Sequence, residues 1–300
     1  MYPHALFLGL DLYSIFIMVG ILAAMMMIRI LSDHKGLKAK LQNFVLLNTV
    51  IAVIGGYAMA VVTQALYNIA LVGKFELTNS TGSTFYGGLV GGVVLFVVVY
   101  FTLGNMMFPD KYHVKNFRTV SDIAACCITI GHCFGRLGCL MAGCCHGART
   151  DAWYGVRMEH LGYKVVPVQL FEAWFLFLLT MVLAWLFIKK KIRFQMPIYL
   201  LSYGVWRFFI EYLRGDERGQ TIVSFLSPSQ LTSIGLLLAG ILLLVLEIRA
   251  DRKRGSDPGD ETDETENEEE AEESDDEIET EGDGEVVTES AEEASHDDEP

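Results

Sequence analysis

Long apolar runs separated by short polar stretches define the pattern of this chain. Seven such runs occur, near residues 12–31, 42–71, 85–108, 119–146, 167–188, 196–214 and 229–248. An α-helix needs about 20 apolar residues to cross a hydrocarbon core of about 30 Å. The runs are too long and too continuous for the strands of a membrane barrel. The pattern therefore predicts an all-α, polytopic membrane protein with seven transmembrane helices.

The basic residues between the runs predict an orientation. The loops after runs one, three, five and seven hold 15 Lys and Arg residues, whereas the opposite loops hold six. Because basic loops stay in the cytoplasm, we expect the N-terminus outside and the C-terminus in the cytoplasm. The first residues, "MYPHALFLGLDLY", lack a basic start and a small-residue cleavage site, so no cleavable signal peptide is expected.

Acidic residues are concentrated at the C-terminus of the chain. The 300 residues carry a formal charge of −14, but residues 255–300 hold 24 of the 37 acidic residues and no Lys or Arg. The rest of the chain has a net charge of +10. A segment this charged and this poor in large apolar residues does not form a core. We expect a transmembrane domain over 1–250 and a disordered acidic cytoplasmic tail over 251–300. The expected role of the tail is to increase solubility, to repel anionic lipid or to bind a basic partner.

The sixth run contains ionisable residues, which are costly in a membrane and mark candidate functional sites. Tyr203, Arg207, Glu211 and Arg214 are spaced four, four and three residues apart. This spacing places them along one helix face. A purely structural alternative is that Arg207 and Glu211 neutralise each other, but it leaves the other two residues unexplained.

Two further runs begin with polar or glycine-rich motifs. Gln169 and Glu172 follow Pro167 and lie on one face of the fifth helix, so Glu172 either caps or pairs with an arginine or acts at a site. The third run opens with Tyr86, Gly87 and Gly88. These glycines allow close approach of a helix or a lipid, and Tyr86 is by default an interfacial aromatic.

The predicted orientation brings these motifs to one depth. Arg136 would lie about 25 Å along the outward-running fourth helix, in the outer half of the membrane. The same orientation places four other residues in that half, namely Tyr86, Glu172, Arg207 and Arg214. Arginine pairs bidentately with phosphate and stays charged when buried. The sequence therefore predicts a cavity for a phospholipid headgroup of the outer leaflet.

Four motifs in succession resemble the prolipoprotein diacylglyceryl transferase family. They are "GRLGCLMAGCCHG", "PVQLFE", "YGVWRFFIEYLRGD" and "LSPSQLTSIGLLLAG", and the similarity covers roughly residues 10–248. The resemblance implies an enzyme that moves the diacylglyceryl group of phosphatidylglycerol onto the thiol of a lipobox cysteine and releases glycerol phosphate.

The resemblance also implies roles for individual residues. Arg136, in the place of the arginine of the "GR.GN" signature, and Arg207, in that of "YG.FR", would hold the lipid phosphate and stabilise the departing glycerol phosphate. The other implied catalytic residues are Tyr203, Tyr86 and Glu172. The other implied lipid-binding residues are Arg214, Gly87, Gly88, Gln169 and Glu211.

The chain departs from the family pattern at several positions. Tyr86 stands where the family has the histidine of "HGG", and Cys139, Ala142 and Cys144 replace two asparagines and a glutamate of "GRxGNFxNGExxG". Tyrosine, with an ordinary pKa near 10, is a poorer base than histidine at neutral pH. Either Tyr86 acts as a hydrogen-bonding group, or the proton of the substrate thiol leaves through Glu172, Glu211 or His146.

All six cysteines lie in or just after the fourth run. Packing between helices is the expected role of Cys126, Cys127 and Cys133. Four roles are open for the other three, Cys139, Cys144 and Cys145. They are a disulfide, a metal site with His146 or His132, a reactive thiolate, and simple substitution in a lipid-binding loop. No paired C-x-x-C spacing supports a metal, and neither a metal nor a cofactor is expected.

The expected function is diacylglyceryl transfer in the bacterial cytoplasmic (inner) membrane. The expected partners are phosphatidylglycerol, prolipoprotein signal peptides and the lipid bilayer, with no nucleic acid. Two alternatives stay open: a related transferase with another thiol or lipid substrate, and a non-catalytic thiol or metal protein on the same scaffold.

Overall fold

A computed structural model describes residues 11–72, 85–189, 192–215 and 226–254. Eight α-helices occur in this part of the chain: α1 Leu12–His34, α2 Ala39–Val72, α3 Phe85–Met107, α4 Tyr112–Lys115, α5 Phe117–Ala142, α6 Val168–Lys189, α7 Gln195–Ile210 and α8 Pro228–Arg254. The acidic tail lies outside the described residues, apart from the end of α8.

Six of these helices, α1, α2, α3, α5, α6 and α8, are long and apolar enough to cross a membrane. Apolar side chains cover much of their exposed surface, among them Leu22, Ile54 and Trp174. Hydrocarbon is the solvent that suits such a surface. The prediction of an all-α, multi-pass membrane protein is therefore confirmed.

The predicted sixth run, 196–214, forms a shorter helix than the others. The α-helix α7 has 16 residues and continues as one 3-10 turn, Glu211–Leu213. Sixteen residues span about 24 Å, less than a hydrocarbon core of about 30 Å. The regular helix ends within the ion-pair network of Glu211, and Arg214 already has extended backbone dihedral angles.

Helix α5 is the centre of the bundle and packs against α1, α6 and α7. Its buried face includes Ile123, Cys126, Cys127 and Cys133, and the Cys133 thiol donates to the backbone oxygen of Ala173 on α6 at 3.3 Å. Three cysteines thus serve helix packing, as their position predicts. Helices α2 and α3 pack against each other along small residues.

The connection from α5 to α6 ties three helix ends together. It contains a small antiparallel sheet, β1 Val156–Arg157 and β2 Lys164–Val165, with Val156 opposite Val165. The Gly147 amide donates to the Val166 oxygen at 2.9 Å, and the Ala148 amide donates to the Leu213 oxygen at 3.0 Å. The end of α5, the start of α6 and the end of α7 therefore meet at one end of the bundle.

The crossing of α2 and α3 gives a first prediction. A Cβ atom at Gly56 would lie 3.0 Å from the Gly88 backbone oxygen, whereas a Cβ at Gly235 on α8 would meet nothing within 4 Å. Gly56→Ala should therefore be less stable than the matched control Gly235→Ala by about 1–3 kcal/mol, the usual effect of overpacking. Thermal unfolding of the two variants in detergent measures the difference, and equal melting temperatures would contradict the observed contact.

Candidate active site

A buried ion-pair cluster joins α5, α6 and α7. The Arg136 guanidinium lies 2.9 Å from Glu172 Oε1, and the Tyr203 hydroxyl donates to the same oxygen at 2.7 Å. The side chain of Glu172 is completely buried, and that of Arg136 is 14% exposed. The i, i+3 placement of Gln169 and Glu172 on α6 faces α5, which explains why Glu172 meets an arginine there.

A second cluster lies around Arg207 on α7. Its guanidinium contacts Glu211 Oε2 at 2.9 Å and donates to Ser229 Oγ of α8 at 2.7 Å. The other oxygen of Glu211 accepts from the Ser227 hydroxyl at 2.9 Å, and Arg214 Nε lies 3.9 Å from Glu211. Arg207, Glu211 and Arg214 therefore lie close together, as their spacing in the sixth run predicts. The Arg207–Glu211 pair does form, but within a network that also includes Arg214 and the first turn of α8.

Several buried polar atoms in the two clusters have no hydrogen-bond partner among the described residues. They include Arg136 Nε, Arg207 Nη1 and Glu172 Oε2. Buried polar groups are almost always hydrogen-bonded in folded proteins, and a buried donor without a partner is costly. Two guanidinium groups with spare N–H donors form a site that suits an anionic oxygen ligand.

His132 is a site residue that the sequence analysis weighed only as a metal ligand. It lies one helical turn before Arg136 on α5, and its Nε2 atom is 3.9 Å from Glu172 Oε1. Its ring stands edge-on to Tyr203 with centroids 5.1 Å apart. The spacing of four residues from Arg136 was the available sequence signal for this placement.

Gln169 links the loop after α5 to the first turn of α6. Its side-chain amide donates to the backbone oxygen of Cys144 at 2.6 Å. Gln169 is buried, one turn before Glu172. It therefore fixes the loop that follows Arg136 against the helix that carries Glu172.

The glycine motif of α3 contacts α2. A Cβ at Gly88 would meet Ala60 at 3.1 Å and the Gly56 backbone oxygen at 3.2 Å, and Gly87 lies against Thr63. This is the helix-packing use of the motif. The side chain of Tyr86 lies outside the described residues, so its predicted role stays a prediction, as does lipid binding by Gly87 and Gly88.

The fold and the site together define a class: a multi-pass helical membrane protein with a buried, two-arginine site at one end of its bundle. Comparison with known proteins narrows this class. A family model described as prolipoprotein diacylglyceryl transferase matches residues 3–246. The chain belongs to the prolipoprotein diacylglyceryl transferase family, so the predicted family and the predicted transferase are confirmed.

Individual relatives agree with the family match. The chain is similar to phosphatidylglycerol–prolipoprotein diacylglyceryl transferase 2 of Clostridium perfringens, with 30% identity over 82% of this chain and 94% of the relative. It is also similar to phosphatidylglycerol–prolipoprotein diacylglyceryl transferases of Clostridium tetani, with 28% identity over 78% and 92%, and of Finegoldia magna, with 28% identity over 65% and 73%. The similarity covers most of each of these proteins.

Proposed function

We propose that this protein transfers the diacylglyceryl group of phosphatidylglycerol to the thiol of a lipobox cysteine in a prolipoprotein. In this reaction a carbon–sulfur bond forms and the carbon–oxygen bond to the phosphate breaks. Glycerol phosphate leaves with the bonding electrons, and a base takes up the thiol proton. The observation that carries the proposal is the pair of buried guanidinium groups with spare donors, in a chain whose relatives are named for this substrate.

The two arginines divide the work on the phosphate in this proposal. Arg207 Nη1 and Arg136 Nε donate to phosphate oxygens, while their other nitrogen atoms stay on Glu211, Ser229 and Glu172. The acidic partners hold both guanidinium groups in place before the lipid enters. Fixed donors aimed at developing negative charge in a dry site are usually the largest single contribution to catalysis.

We further propose seven spans, with α7 as the sixth span, the N-terminus outside and the protein in the bacterial inner membrane. The proposal is supported by the basic residues at or after the C-terminal ends of α1, α3, α6 and α8 and by the shared end at which Arg136, Glu172 and Arg207 meet. In this orientation the site opens toward the outer leaflet, where a lipobox cysteine of an exported prolipoprotein would arrive. The signal peptide would then lie in the membrane beside the bundle.

His132 is the proposed acceptor of the thiol proton. Its Nε2 atom lies 3.9 Å from Glu172 Oε1, and its ring stands edge-on to Tyr203, so the imidazole lies within the Arg136–Glu172 cluster. Histidine is the side chain that most often transfers protons in enzymes, and a candidate base must lie close to the reacting group. The carboxylate of Glu172 would stabilise the imidazolium that forms 3.9 Å away.

The variant His132→Asn tests this assignment. Loss of a general base usually lowers the rate about 10²–10⁴-fold. The fall of kcat/KM at acidic pH, which arises because a protonated base accepts no proton, should also disappear. A pH–rate profile of wild type and variant measures both effects. A variant that keeps the acidic limb of the profile would show that another group takes the proton.

Complementation tests the proposed function itself. In a bacterial strain depleted of its own prolipoprotein diacylglyceryl transferase, expression of this chain should restore growth and the mass increase of a reporter lipoprotein. A reporter with the lipobox cysteine changed to serine is the matched control and should stay unmodified. Failure to modify the reporter, with the protein present in the membrane, would contradict the proposal.

A further inference from the structure

Three cysteines form a cluster just beyond the end of α5. The Sγ atoms of Cys139, Cys144 and Cys145 all lie within 4.8 Å of one another. Cys139 belongs to the last turn of α5, and the other two follow the turn at Gly143. Among the described residues, no other group of three or more cysteine, histidine or acidic side chains has this geometry.

The backbone between these cysteines is shaped to bring the thiols together. Gly143 has φ 74° and Cys145 has φ 61°, both in the left-handed region. A non-glycine residue rarely adopts this conformation, which costs of order 1 kcal/mol or more. The Cys144 amide donates to the Cys139 backbone oxygen at 3.2 Å, and Gln169 holds the Cys144 oxygen from α6. The cluster is therefore built by the fold.

We propose that Cys139, Cys144 and Cys145 form a binding site for a soft metal ion, with monovalent copper as the occupant. Thiolate–metal bonds of about 2.3 Å place the sulfur atoms of a shared ion about 4 Å apart, so closure from at most 4.8 Å needs only small movements. Soft thiolate ligands select Cu(I), zinc and iron–sulfur clusters. The site goes beyond lipid transfer and does not depend on it.

The number of ligands favours copper over zinc. Structural zinc takes four protein ligands in tetrahedral geometry, and the cluster supplies three sulfur atoms. A monovalent ion with three thiolates leaves a net negative charge. The positive charge of Arg214, which acts on the Cys145 thiol, helps to balance this charge.

The site is accessible and adjoins the ion-pair cluster. Cys144 is exposed, and Cys139 and Cys145 are half-buried, so an ion can enter without unfolding. Cys139 lies three residues after Arg136, and Gln169, which binds the Cys144 carbonyl, lies three residues before Glu172. A bound ion would therefore fix the end of α5, which carries Arg136, against the start of α6, which carries Glu172.

A copper competition experiment tests the proposal. The full-length protein, purified in detergent under reducing, oxygen-free conditions, is titrated with Cu(I) against a coloured Cu(I) chelator. We expect one equivalent to bind, and Cys145→Ser and Cys139→Ser each to weaken the affinity about 100-fold or more, since even loss of an outer-shell partner of a metal site costs 10–100-fold. Cys133→Ser, in the packed interface with α6, is the matched control and should bind copper like the wild type.

Three outcomes would overturn the proposal. One is no competition for Cu(I) by the wild type, and another is equal affinity in the wild type, Cys139→Ser and Cys145→Ser. The third is a zinc ion bound at the three cysteines by a protein that rejects Cu(I). The proposal requires all three thiols, so no disulfide can join them. Intact mass measured before any reductant is added tests this, since a disulfide lowers the mass by two hydrogens.

Discussion

Arg207→Ala should abolish complementation of a transferase-depleted strain while the protein still accumulates in the membrane. The substitution removes the guanidinium that holds Glu211 and Ser229 and presents Nη1 for a ligand. Loss of a single donor to developing negative charge typically lowers the rate about 10²–10³-fold. Here a whole charge is lost, so we expect an effect at the upper end of that range or beyond.

Arg207→Lys is the control that separates charge from geometry. Lysine keeps a positive charge near Glu211, so folding and membrane accumulation should be preserved. It lacks the planar fork that binds two phosphate oxygens at once. We expect normal accumulation with activity between those of wild type and Arg207→Ala. Full complementation by Arg207→Ala would show that this arginine has no part in the reaction.

The Arg136–Glu172 pair gives the second large effect. Removing one partner of a buried ion pair leaves an uncompensated charge and typically costs 3–5 kcal/mol, so Arg136→Gln and Glu172→Gln should each destabilise the protein by about that amount. Each single variant should also be inactive. Melting temperature in detergent and transferase activity measure the two effects separately.

The double variant Arg136→Gln/Glu172→Gln decides what the pair is for. Two neutral amides hydrogen-bond each other, so much of the lost stability should return. Activity should not return, because the Arg136 guanidinium that donates to the lipid phosphate is still missing. Recovery of activity together with stability would show that the pair only holds α5 against α6.

The sequence predicted the helices and the polar face of α7 because both depend on local periodicity. Runs of apolar residues specify spans, and the spacing of Tyr203, Arg207 and Glu211 specifies one helix face. The sequence also predicted that Glu172 faces a site, although it left open whether Glu172 serves structure or chemistry. The structure shows the partner, Arg136, and this pairing depends on how α5 packs against α6.

Other features depend on tertiary contacts and local backbone geometry that periodicity does not report. His132 carries no motif, and only the approach of α6 and α7 brings it near Glu172 and Tyr203. The cysteine cluster has no C-x-x-C spacing that would reveal it in the sequence. A left-handed turn at Gly143 and Cys145 brings its sulfur atoms together. The early end of α7 likewise lies within the ion-pair network around Glu211, which the apolar pattern does not report.

Direct observation of the product tests the central claim. The purified full-length chain is incubated in detergent with labelled phosphatidylglycerol and a lipobox peptide, and the peptide is then examined by mass spectrometry. Our account predicts a peptide with a diacylglyceryl thioether on its cysteine, an equal amount of released glycerol phosphate, and neither product with Arg207→Ala. Absence of the thioether from a folded wild-type protein, or its formation at an equal rate by Arg207→Ala, would contradict the account.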